Sequence, residues 1–246
     1  MHTHSFQVFL SRWYHVLSVR SVTGGGWYLL VGLIVATVIV IVNPKNVWVV
    51  FRPFVTWLHE GGHAATALAL SGEVRSITIR KDTSGLTACA LPGGRGLFRN
   101  VRSGMVAIMG TPSPMIVGCA IGVGVAYGYT HLVIGCVGAA VLLTFFRIRN
   151  LWGLLVVSLI AGSLVVASVG GPVAAGLLLG IMAGLGLFGG LRTVFEEHRS
   201  RDSREGGDGA AAAAALHLPV SWIESLWVIA WVVCATGLGV GVFYAA

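Results

Sequence analysis

Seven strongly apolar runs follow one another along the chain, each but the last ended by glycine, proline or a short polar group. They are Trp27 to Val42, closed by Asn43-Pro44; Val47 to Leu70, stopped by Ser71-Gly72; Ser103 to Tyr127; His131 to Phe146; Leu151 to Val169; a sixth from Gly170-Gly171-Pro172 to Gly190; and Ser221 to Tyr244. Such runs read as membrane-spanning helices, because a bilayer core takes about 20 apolar residues. The third contains Gly110-Thr111-Pro112-Ser113-Pro114, and two prolines so close predict a break or kink. One stretch has another period: Val74 to Arg80 alternates polar and apolar residues, Asp82-Thr83-Ser84-Gly85 forms turns, and Leu86 to Leu91 can return. The pattern predicts an all-α polytopic membrane protein of about seven transmembrane helices with a small β-hairpin after the second. Residues 1–26 read as an interfacial arm, residues 192–209 as a flexible polar loop, and Ala210 to Ala215 as a short helix before Pro219.

With 56% hydrophobic and 10% charged residues and a mean hydropathy of +0.85, the chain lies far from soluble domains. Its 246 residues form one membrane domain, with no room for a large soluble one. The net charge of +7 does not point to nucleic acid, since Lys and Arg sit in short loops where they set topology. With seven crossings and a cytoplasmic N-terminus, 14 of the 16 fall inside, leaving only Lys45 and Arg52 across the membrane and the C-terminus outside. A bacterial cell membrane fits best. Cys89, Cys119, Cys136 and Cys234 are widely spaced and read as small buried residues.

The second run holds His59-Glu60-Gly61-Gly62-His63. Residues four apart share a helix face, so His59 and His63 can present two imidazoles to one Zn2+ while Glu60 reaches a water. The bland alternative is chance, or two histidines satisfied within a bundle. Against it stands Glu60, an ionisable group that costs several kcal/mol in an apolar run without a partner. A catalytic zinc has three protein ligands and one open position. Of the nine acidic residues, Asp208 is the most interesting third ligand, although this is also where an ordinary helix N-cap belongs, and from the residues alone that is the stronger reading. His131 falls at the far side.

These residues resemble the site-2 protease clan of membrane zinc metallopeptidases, in particular its small bacterial, plant and fungal B-branch relatives. The likeness includes His59-Glu60-x-x-His63-Ala64, Gly72-x-Val74, Ser84-Gly85-x-Thr87, Gly110-x-Pro112-x-Pro114, Arg149-Asn150, and Asp208 with the alanine-rich helix, Leu218-Pro219 and Trp222. It departs at Gly207, Gly209 and Thr111, and no Asp-Gly pair occurs in spans three to six. The resemblance implies an intramembrane zinc metalloprotease acting on membrane-protein or peptide substrates within the lipid bilayer, with Glu60 as base and Asp208 completing the metal site. Asn150 and Thr87 are its candidate substrate contacts, Asn150 alternatively pairing with backbone at a helix end. A non-catalytic scaffold of the same fold and, further off, a transporter are the rival classes. The oligomeric state is not legible.

Overall fold

The computed structural model describes residues 25–42, 45–93, 96–199 and 207–245. Most of the expected arm, with His2, His4 and His15, and residues 200–206 of the expected loop lie outside them. The helices are α1 Gly25–Ile41, α2 Lys45–Ala69, α3 Leu97–Gly110, α4 Ser113–Ala126, α5 Thr130–Phe145, α6 Leu151–Val169, α7 Gly171–Arg199, α8 Asp208–Leu216 and α9 Val220–Ala245; strands β1 Glu73–Ile79 and β2 Gly85–Ala90 follow α2.

Every apolar run is helical, yet fewer qualify as spans than the pattern predicts. Among the described residues α6, α7 and α9 are long and apolar enough to cross a membrane. Helices α3 and α4, bent by 55° at the Thr111-Pro112 break, make a fourth if taken together, and α1 and α5 are shorter apolar helices. The polar loop is also shorter than expected: α7 continues as helix to Arg199, its polar end held by an Arg192–Glu196 ion pair of 2.8 Å one turn apart.

Helix α7 is central, and its glycines decide what packs on it. A Cβ on Gly180 would strike Leu29 and Gly32 of α1, one on Gly184 would strike Ala36, and one on Gly186 would strike Pro114 and Gly118 of α4. Without a hydrophobic drive between helices in lipid, close backbone approach through small residues supplies the contact. The same contacts fix direction. Leu29 and Gly32 meet Gly180, Ala36 meets Gly184, and Val40 accepts a hydrogen bond from Arg192, so α1 and α7 run parallel.

Helix α2 does not run alongside them. Trp48 and Val55 both pack on Gly189 of α7, Trp57 Nε1 donates to Thr144 Oγ1 near the end of α5 at 3.1 Å, and Gly62 lies against Ser113 at the start of α4. All of these partners stand at one end of the bundle, so α2 lies across that end. Arg52, expected on the opposite side from the Arg192 segment, is 3.3 Å from Glu196. The reason is that Arg52, among the apolar residues of α2, stays where α7 offers it a partner.

The hairpin folds back along α2, with Thr56 Oγ1 donating to the Thr83 carbonyl of its turn at 2.8 Å. Strands β1 and β2 pair antiparallel, Ile77 opposite Thr87, with an irregularity between Val74 and Ser76. The far edge of β1 is closed by the segment before α6. Ile77 N–H donates to Arg147 O, Arg149 N–H to Ile77 O, and Ile148 pairs with Ile77 in parallel.

Candidate metal centre

His59 and His63 stand one turn apart on α2, and Asp208 is the first residue of α8. The fold brings them together. Asp208 Oδ2 lies 2.7 Å from His59 Nε2 and 3.0 Å from His63 Nε2, and the two imidazole nitrogens are 3.2 Å apart. Donor atoms of a tetrahedral zinc with bonds of about 2.0–2.1 Å stand about 3.3 Å apart, so these atoms need spread by only tenths of an ångström to hold one. His63 Nδ1 is 2.7 Å from the Val106 carbonyl oxygen, which can only accept. Nδ1 therefore carries a proton, and an ion that took the place of the Nε2 proton would meet a lone pair facing the other donors, as a ligating histidine requires.

Two glycines make room at this point. A Cβ on Gly110, the last residue of α3, would collide with the His63 ring and with His59 Nε2. A Cβ on Gly85, the first residue of β2, would collide with the Glu60 carboxyl group. Burial of Asp208 would raise its pKa, but the hydrogen bonds and charges of His59 and His63 overcome that and hold it below the ordinary carboxylate range. It is an anion at neutral pH, as ligation needs. Asp208 is not the N-cap that its position in the sequence also suggested: Gly207 occupies that position and makes no side-chain cap.

Glu60 is buried, at 4% exposure, and lines the same cavity. Its Oε2 accepts a hydrogen bond from Thr87 Oγ1 at 2.7 Å, and its main-chain carbonyl shares that donor at 3.1 Å. Thr87 thus reaches the site through Glu60. Asn150 does not line the cavity: Ile79 N–H donates to its Oδ1 at 3.3 Å, and its Nδ2 donates to the Ile79 carbonyl, so it continues the edge of β1.

The cavity is about 1130 Å³ and runs between α2, β2, α3 and the end of α7. Because Ile77 and Ile79 of β1 give their main-chain groups to the 147–150 side, the alternate residues Ser76 and Thr78 bond to β2. Thr87, opposite Ile77, therefore turns its N–H and C=O away from β1, toward the open edge of β2. Arg52, Glu196 and Glu197 also line the cavity. The pattern along the chain put Arg52 on the far side of the membrane and the two glutamates in a polar loop, and only the packing of α7 on α2 and α8 brings them here.

A family model described as Peptidase M50B-like matches residues 30–241. The chain belongs to the Peptidase M50B-like family. No curated protein and no solved structure matches it. For an M50B-like peptidase, the match covers α2 with its two histidines, the hairpin and α8 with Asp208 together. With three to four helices apolar enough to cross a bilayer, this member is a membrane protein.

Proposed function

We propose that the protein is a zinc-dependent endopeptidase that cleaves peptide bonds in or beside the membrane. The observation that carries this is the set of three donor atoms 2.7–3.2 Å apart beside a buried glutamate, in a chain of a peptidase family. His59, His63 and Asp208 would hold the ion. When bound, zinc supplies Lewis-acid polarisation of a carbonyl and a water of lowered pKa. Glu60 accepts the proton of the attacking water and delivers it to the leaving amine. Thr87 holds the Glu60 carboxylate in one orientation while it does so. An extended substrate segment lies along the open edge of β2, its main chain bonding to Thr87, because a peptide bond is reached only when the chain around it is straight.

The orientation follows from charge. Every described Lys and Arg side chain belongs to α2, the hairpin, α3, the 147–150 segment or the last turns of α7, all at the metal-bearing end. That end faces the cytoplasm. The metal then sits near the cytoplasmic boundary, where water has access.

The test is zinc content and hydrolysis by the detergent-purified protein. Wild type should carry near-stoichiometric zinc; His63→Ala and Asp208→Ala should lose it; Glu60→Gln should keep it and lose hydrolysis. Full activity in Glu60→Gln removes the base assignment. A wild type that takes up no zinc favours a non-catalytic scaffold.

A further inference from the structure

We infer that Glu197 is a positioning residue that fixes the third metal ligand, an inference that rests on the metallopeptidase reading. Asp208 opens α8, so its carboxylate is only as well placed as the first turn of that helix. The first turn of any helix has main-chain N–H groups without partners inside the helix, and Gly207, at the N-cap, contributes no side chain to satisfy them. Glu197 does so from another helix: its Oε1 accepts the N–H of Gly209 at 3.1 Å, next to Asp208 in the chain. A carboxylate there also meets the positive end of the helix dipole. Residue 209 must be small for this. A Cβ built on Gly209 lies 3.4 Å from both Glu197 Oε1 and the ring of the fully buried Trp227, so the turn is held between the two.

The neighbouring residue makes the arrangement two-sided. Glu196 forms ion pairs with Arg52 of α2 at 3.3 Å and with Arg192 at 2.8 Å. Successive side chains on a helix point about 100° apart. Glu196 thereby faces the helix that carries both histidines, and Glu197 the helix that carries the aspartate. The end of α7 brackets the two halves of the metal site. A single Asp208 oxygen contacts both imidazoles, at 2.7 and 3.0 Å, so a shift of the first turn of α8 lengthens both contacts at once.

The experiment uses the full chain in detergent, with Zn2+ affinity measured against a competing chelator and the visible spectrum of the Co2+-loaded protein. Glu197→Gln keeps an oxygen that accepts the Gly209 N–H, so affinity should stay within about threefold of wild type with an unchanged Co2+ spectrum. Glu197→Ala should weaken binding about 10–100-fold and move the spectrum toward that of Asp208→Ala. Wild-type affinity and spectrum in Glu197→Ala, or equal loss in Gln and Ala, would overturn the inference. Amide exchange of residues 207–216 in metal-free protein gives a separate readout. Faster exchange in Glu197→Ala but not in Glu197→Gln supports the bracket even if wild type binds no zinc, which would instead count against the metallopeptidase reading.

Discussion

At the scale of single residues, the site depends on what is absent as much as on what is present. Gly110 faces both imidazoles, and Gly110→Ala puts a methyl group against the His63 ring and His59 Nε2. Because the Cβ is fixed to a helix backbone, the rings must move, and zinc affinity should fall about tenfold or more. Chelator competition on the variant measures this; unchanged affinity would mean the rings have slack. Thr87→Val tests the other wall. It removes the hydroxyl donor to Glu60 while keeping shape, so zinc should remain and kcat/KM should drop about 10–100-fold. A loss of zinc in Thr87→Val would instead make the threonine part of the metal site. The histidines and Glu60 were legible in the chain because i, i+4 spacing on a helix decides their relation locally. Thr87 was legible as a residue worth naming but not in its role. Its partner is 27 residues away, and the pairing exists only because the hairpin folds back over α2.

At the scale of elements, local period named each segment, but placement came from partners the pattern does not contain. The hairpin was readable from alternation at Val74 to Arg80, whereas its third, parallel neighbour at 147–149 was not, since three residues carry no period. Asn150 reads as polar at a helix end, and it uses that position to copy a strand, bonding both main-chain groups of Ile79. Asn150→Ala should open that edge, at about 1–3 kcal/mol for the unpaired main-chain groups. The measurement is hydrogen exchange at Ile77 to Ile79, expected to quicken, with zinc content unchanged. If exchange there is unaltered, the edge is held by Arg147 and Arg149 alone. The polar end of α7 was unreadable for a related reason. Arg192, Glu196 and Glu197 look like loop residues until α1, α2 and α8 supply a carbonyl at Val40, a guanidinium at Arg52 and an N–H at Gly209.

For the whole molecule, charge and hydropathy leave one choice open on which packing bears. A scheme of alternating crossings from a cytoplasmic N-terminus puts 14 of 16 Lys and Arg inside; laying α2 across the metal end moves Lys45 and Arg52 in and Arg12 and Arg20 out, and the tally is still 14. The two schemes are equal by that rule. The parallel contact of α1 with α7 distinguishes them, because Gly32 and Gly180 touch through their backbones and admit no reversed pairing of Leu29 and Ala36. The start of α1 then lies beside the start of α7, far from the metal, on the same side as the end of α9, since Cys119, Gly122 and Val123 of α4 meet Cys234, Leu238 and Gly241 in the same order. In a protein with its four cysteines replaced by alanine, single cysteines at Trp27, Arg75 and Tyr244 report this through a membrane-impermeant thiol reagent. All three positions are exposed. Trp27→Cys and Tyr244→Cys should label from one side and Arg75→Cys from the other. Labelling of Trp27→Cys together with Arg75→Cys would restore the alternating scheme, and α2 would have to cross the bilayer with Glu60 inside it. That crossing would strip water from Arg52 and Glu60 at a cost of several kcal/mol each, and this cost gives α2 a physical reason to lie at the membrane boundary.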